Sequence, residues 1–206
     1  GITQGGVDGS YTYSVTGGLE NRPVVYVSWF DAARFSNWMA NGQGNGDTED
    51  GSYSLLGATS GVFMVNTGAK AWIPTENEWY KAAYYNGGTS TYSLFPNGQD
   101  SVTEADATYR WSSDATDVGY GTSSSYGTFG QGGNVWEWNA DCYRQTYDGA
   151  PADGSPVTVP GCTLWSVRGG AWMTRPSRNR LTFRGRDPND ARYSYFGIRV
   201  ARDLRP

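Results

Sequence analysis

The chain has 206 residues, enough for one domain with a sizeable core, and it is rich in Gly (29), Tyr (15) and Trp (9) while only 17% of it is charged. Its formal net charge is −4, with two cysteines and no histidine. The missing histidine excludes Ser-His-Asp and Cys-His nucleophile systems, His-ligated metals and the usual near-neutral general base, leaving carboxylates, Tyr, Lys, Arg and two thiols for chemistry.

Residues 1–22 are turn-rich, with a short alternating strand at Tyr11–Val15. No basic stretch followed by an apolar one opens the chain, as expected of a mature or trimmed product. After Pro23, VVYVSW reads as a strand running into a helix. Ser28 is the expected N-cap and Asp31 its capping-box partner, with Ala32, Phe35 and Met39 at helical spacing and Gly42 as the stop. Residues 41–51 form a loop, and YSLLG and VFMVNTG read as hairpin-like strands. A second helix starts in WIPTENEWYKAAYY: Thr75 caps it, Glu78 answers three residues on, and Trp79, Ala82 and Ala83 make the inner face. Gly87-Gly88 end it.

Between Gly87 and Gly132 periodicity fails. So long a stretch without elements implies functional loops, or ions holding the chain. Order returns at GNVWEW, a strand with Trp136 and Trp138 on one face and Glu137 on the other. Alternation recurs in SVRGGAW, RLTFRGR and FGIRVAR. Two helices among short strands and long loops give an α+β domain of low regular content. A single domain over 1–206 is expected, and no apolar run reaches the ~18 residues of a membrane span.

Several features have bland explanations. NGDTEDG lacks EF-hand spacing, since Gly51 falls one place late. Gly169-Gly170 precedes no helix, so no phosphate cradle is implied. From Arg168 onward ten arginines stand against three aspartates. They are interleaved with glycine, aromatic and β-branched residues, which points to pairing with the acidic remainder of the chain, not to nucleic acid. Arg168, Arg184, Arg186 and Arg199 are the candidates for buried forks. Cys142 and Cys162 flank a loop rich in Gly, Pro and Asp. Closed as a disulfide, they would contribute about 3 kcal/mol and imply an oxidising compartment; the alternative is two unrelated buried thiols.

Five segments, PVVYVSWFDAARFSNWMANG, WIPTENEWYKAAYY, YGTFGQGGNVWEWNADCY, VRGGAWMTRPSRNRLTFRGR and FGIRVAR, follow one another from Pro23 to Arg202. Together they resemble the formylglycine-generating enzyme (sulfatase-modifying factor) family. The resemblance implies a compact variant of the C-type lectin fold with bound calcium. It also implies a copper-holding cysteine pair after the GG turn, at positions that correspond here to Thr174 and Asn179. Neither supplies a thiolate, so formylglycine generation is not expected, and neither copper nor iron is a cofactor. Calcium is the cofactor the resemblance leaves, with Glu137 and the carbonyls of Gly133 and Val135 as ligands, although Gly130 stands where the family has Asn or Asp. A second such site would fall in the 105–117 loop, with Asp114.

The family's N-terminal strand has no counterpart in residues 1–22, so a neighbouring subunit is expected to fill an apolar groove or edge there. The expectation is therefore a non-catalytic extracellular binding or surface-display module for a glycan or peptide. Its ligand residues would be Trp172, Arg175, Arg178, Asn179, Tyr193 and Tyr195. The alternatives are a structural subunit that self-assembles into an oligomer or filament, and an enzyme of the family using another chemistry.

Overall fold

The structure, a computed structural model, describes residues 2–110 and 112–203; the extreme ends of the domain expected over 1–206 lie outside them. β1 (Ile2–Val7) and β2 (Ser10–Val15) form an antiparallel hairpin in register from Ile2↔Val15 to Val7↔Ser10, with all its residues exposed. The sequence pattern reveals only the second of these strands. Gly5 and Gly6 give β1 little strand propensity of its own, and pairing with β2 completes it.

α1 (Trp29–Ala40) begins as expected. Ser28 accepts from the Asp31 amide, and the Asp31 carboxylate accepts from the Ser28 amide at 2.8 Å. Its buried residues are Trp29, Phe30, Ala32, Ala33, Ser36 and Asn37. Phe35 departs from the expected inner face: it is 40% exposed and packs against Trp38. Asn37 takes the inward place because it does the work of a strand. Its amide donates to the carbonyls of Thr48 and Tyr53 and accepts from the Tyr53 amide, tying an irregular segment to the helix. For that reason residues 52–70 need no strands, and the two expected there are absent.

β3 (Ala71–Trp72) leads into α2 (Glu76–Tyr84), where the Thr75/Glu78 capping box is complete. Glu76, Trp79, Ala83 and Tyr84 are buried, whereas Ala82 is only half-buried. Beyond α2, β4 (Tyr85–Asn86) and β5 (Thr91–Tyr92) make a minimal hairpin. The long irregular stretch that follows is stitched by polar side chains. The Asp106 carboxylate accepts from the Thr103 amide and hydroxyl and from the Thr122 hydroxyl. Asn134, at φ +63°, pairs its amide with both backbone groups of Thr116.

β6 (Trp136–Cys142), β7 (Trp165–Arg168), β8 (Gly185–Asp187) and β9 (Phe196–Gly197) form the central sheet in the order β8-β7-β6-β9, parallel only between β6 and β9. β10 (Ala201–Arg202) closes against β3. One face of the sheet builds the apolar core: Trp136, Trp138, Trp165 and Val167 pack with Trp29, Phe30, Tyr53 and Phe196. Burying a tryptophan removes roughly 150–250 Å² from water, worth about 4–6 kcal/mol before entropy is counted. The two cysteines join at the end of this face, as the disulfide Cys142–Cys162 with Cα atoms 6.0 Å apart.

Candidate functional site

The other face of the sheet is buried and polar. Strand alternation turns Glu137, Asn139 and Asp141 of β6, and Ser166 and Arg168 of β7, away from the tryptophans. All five are at most 4% exposed. Glu76, at the start of α2, lies in this layer. Its carboxylate accepts from Arg168 Nε at 2.7 Å, from Arg184 Nε and Nη2 at 2.6 Å each, and from the Tyr147 hydroxyl at 3.0 Å. Burial works against the Glu76 charge, but Arg184 and Arg168 hold its carboxyl below the usual range. Among the described residues Asp141 has no ion-pair partner. It accepts from the Glu76 amide at 2.6 Å and the Val157 amide at 2.8 Å, and burial pushes it up to about 6. Asn139 and Ser166 are fully buried, and their side-chain polar atoms have no partner among the described residues.

The expected arginine forks are distributed accordingly. Arg168, Arg184 and Arg199 form ion pairs with buried carboxylates. Arg186 departs from that expectation: it is exposed, with its guanidinium over the Tyr143 ring. Glu137 binds Arg199 through Nε at 2.8 Å and Nη2 at 2.7 Å, and Trp79 Nε1 at 2.5 Å. Arg199 Nη2 also donates to the Phe129 carbonyl. The carboxylate of the expected calcium set therefore already carries a guanidinium and an indole N–H, and Gly130 adds no side chain beside it. Asp114 caps its own loop, accepting from the Ala115 amide.

The turn after β7 is built on Gly169 and Gly170, both at positive φ (97° and 78°). It brings Thr174 and Asn179 together, since a Cβ at Gly170 would collide with Asn179 Oδ1 and crowd Thr174 Oγ1. The Thr174 hydroxyl is spent on Ala171, accepting from its amide and donating to its carbonyl. Asn179, in the short 3₁₀ turn Pro176–Asn179, is 0% exposed with both amide atoms unpartnered. No thiolate stands at either position, and both cysteines of the chain are joined to each other elsewhere.

Of the six expected ligand residues, four share this turn. Trp172 is half-buried, Arg175 and Arg178 are exposed, and Asn179 is interior, which removes it from direct contact with a ligand at the surface. Arg178 lies over the Phe183 ring at 4.1 Å. Tyr193 and Tyr195 sit on a different turn, stacked at 5.1 Å and 6°, with both rings against Phe196. Two large open cavities lie elsewhere. One is an apolar groove of about 930 Å³ beside the N-terminal hairpin, lined by Ile2, Val24, Phe35, Phe129 and Ile198 among others. The second is a cleft of about 820 Å³ between α2 and the disulfide-closed loop, lined by Tyr80, Tyr92 and Tyr147. Sequence reasoning misses Glu76 and Tyr147. Glu76 reads as a first-turn helix acid, and only the surplus of arginines downstream hints at a buried partner.

The chain matches the sulfatase-modifying factor enzyme 1-like domain over residues 6–204 and belongs to that family. It is 26% identical over 190 residues to the serine/threonine-protein kinase Pkn1 of Chlamydia trachomatis serovar L2, covering 91% of this chain and 25% of the kinase. It is 24% identical over 200 residues to the formylglycine-generating enzyme of Thermomonospora curvata, covering 89% of this chain and 56% of the enzyme. Among solved structures, PvdO from Pseudomonas aeruginosa superposes with a TM-score of 0.68 at 25% identity, covering 89% of this chain and 63% of PvdO. The chain therefore spans from a quarter to about half the length of these two curated relatives.

Proposed function

We propose that this domain is a non-catalytic, extracellular binding or display module on the scaffold of formylglycine-generating enzymes, taking a glycan or peptide ligand. The observation that carries it is the pair at Gly170. The two positions that correspond to the family's cysteine pair both approach Gly170, but their side chains are a hydroxyl and a buried amide. Oxidation of a substrate cysteine with copper needs soft thiolate ligands, and a hydroxyl and an amide hold copper(I) poorly. The disulfide fits an oxidising compartment. Arg199 stands as the cation at Glu137, so the domain's Tm should be the same in calcium and in chelator.

The test is a turnover assay with a cysteine-containing sulfatase peptide and added copper. No aldehyde should form with the native chain, and formation of formylglycine would overturn the proposal. The double variant Thr174→Cys, Asn179→Cys should gain copper(I) binding that the native chain lacks.

A second reading, a self-assembling subunit, is favoured by one observation. The β1–β2 hairpin is exposed throughout, including Ile2, Val7 and Tyr13 at 66–72%, and it stands beside the apolar groove.

A further inference from the structure

The cleft between α2 and the loop 143–161 carries aromatic surface that neither the core nor the Gly170 turn uses. Tyr147 is 51% exposed, yet its hydroxyl is fixed inside the buried layer, donating to Glu76 Oε1 at 3.0 Å and accepting from Arg168 Nη2 at 2.8 Å. The Arg184 guanidinium covers one face of its ring at 4.2 Å, and the residue's remaining exposed surface lines the cleft. Across the cleft Tyr92 is 50% exposed and braced by Tyr80 at 5.2 Å and Tyr85 at 4.9 Å. Asn77 and Lys81 project from the exposed side of α2, and Asp153 from the loop.

The loop itself is held at several points. The disulfide closes it, Asp141 accepts from the Val157 amide, and Arg184 Nη1 donates to the Arg144 carbonyl at 2.6 Å. Rigid, half-exposed rings lose little freedom when a ligand settles on them, so the affinity cost of ordering is already met by the fold. The electron-rich face of a tyrosine suits the C–H face of a pyranose, and planar or charged side chains around it suit ring hydroxyls.

We propose that this cleft binds a neutral oligosaccharide, its sugar rings stacked on Tyr92 and Tyr147 and its hydroxyls bonded by Asn77, Lys81 and Asp153. Neutrality follows from the charges. Arg168 and Arg184 are committed to Glu76, and the rim adds one cation and one carboxylate from these residues. A peptide is less suited, because the aliphatic lining is only Leu181 with two alanines and a proline, which offers little to apolar anchor side chains. The assignment rests on the chain being a binding module and names the site and ligand class within it.

The disulfide-intact protein is screened against arrayed neutral, sialylated and sulfated oligosaccharides and against a peptide array, and any hit is titrated calorimetrically. Neutral glycans should bind. Tyr92→Ala should weaken the hit about tenfold or more, and Tyr92→Phe should restore it. Asn77→Ala should weaken it too, with near-UV circular dichroism unchanged. Native affinity retained in both Tyr92→Ala and Tyr147→Ala overturns the proposal, as do hits confined to acidic glycans or to peptides, or no glycan hit at all. Glycan binding lost in Arg178→Ala but kept in Tyr92→Ala moves the site to the Gly170 turn and leaves the binding-module proposal intact. Turnover of the sulfatase peptide overturns the module proposal by itself, independently of the glycan result.

Discussion

Asp141 and Glu76 sit in one buried layer and respond to pH in opposite ways. The folded-state pKa of Asp141 is raised, so between its unfolded value near 3.8 and about 6 the native state holds the extra proton. Its contribution to stability therefore falls as pH rises through that window. Glu76 is shifted downward, so its stabilisation is present above its unfolded value near 4.5 and is lost as pH falls through the lower, folded one. Asp141→Asn removes the first effect and one of two accepted hydrogen bonds. The variant should be less stable throughout, and its Tm deficit should narrow between pH 4 and pH 6.5. A deficit constant across that range would show that Asp141 does not titrate there. The sequence shows the arginines but not their partners. Glu76 lies in no charge run and reads as an ordinary first-turn helix acid, recognisable as a buried partner only once β7 and α2 face each other, because tertiary contact and not local pattern decides which acid is buried.

Elements were legible where local chemistry decides them. Both helices announce themselves by capping boxes, Ser28/Asp31 and Thr75/Glu78, in which each side chain satisfies an end amide of the helix. The tryptophan alternation of β6 is equally local. Illegible were β1, whose glycines need β2 to form a strand, and the segment 52–70, where Asn37 supplies hydrogen bonds that a strand partner would otherwise give. The loop 143–161 depends on its covalent closure. Replacing both cysteines by serine should cost about 3 kcal/mol in denaturant unfolding. It should also raise amide exchange in the loop before exchange rises in β6. A loss well under 1 kcal/mol would mean that Asp141 and Arg184 hold the loop unaided.

At the scale of the molecule, family membership was readable from five ordered motifs, and the candidate site was only partly so. The resemblance located Thr174 and Asn179, and the structure brings both to Gly170, but it divides the six expected ligand residues between two turns and the interior. Spacing along the chain carries no information about which turns share a surface. The hairpin raises a separate point, because a two-stranded ribbon alone is marginal in water. If it seats on a second copy, small-angle scattering at micromolar concentration should give a mass above one chain, falling to one chain when residues 2–15 are deleted. A monomeric mass for both would leave the hairpin without an assembly role.

The pairing of Cys142 with Trp165 across β6 and β7 sets an indole beside a disulfide, with Trp29 and Trp138 in the same cluster. Disulfides accept electrons from excited indoles, so the oxidised domain should be dim for a protein of nine tryptophans. Mild reduction should brighten its emission before unfolding shifts the wavelength. The core thereby carries its own optical gauge of the redox state in which the domain resides.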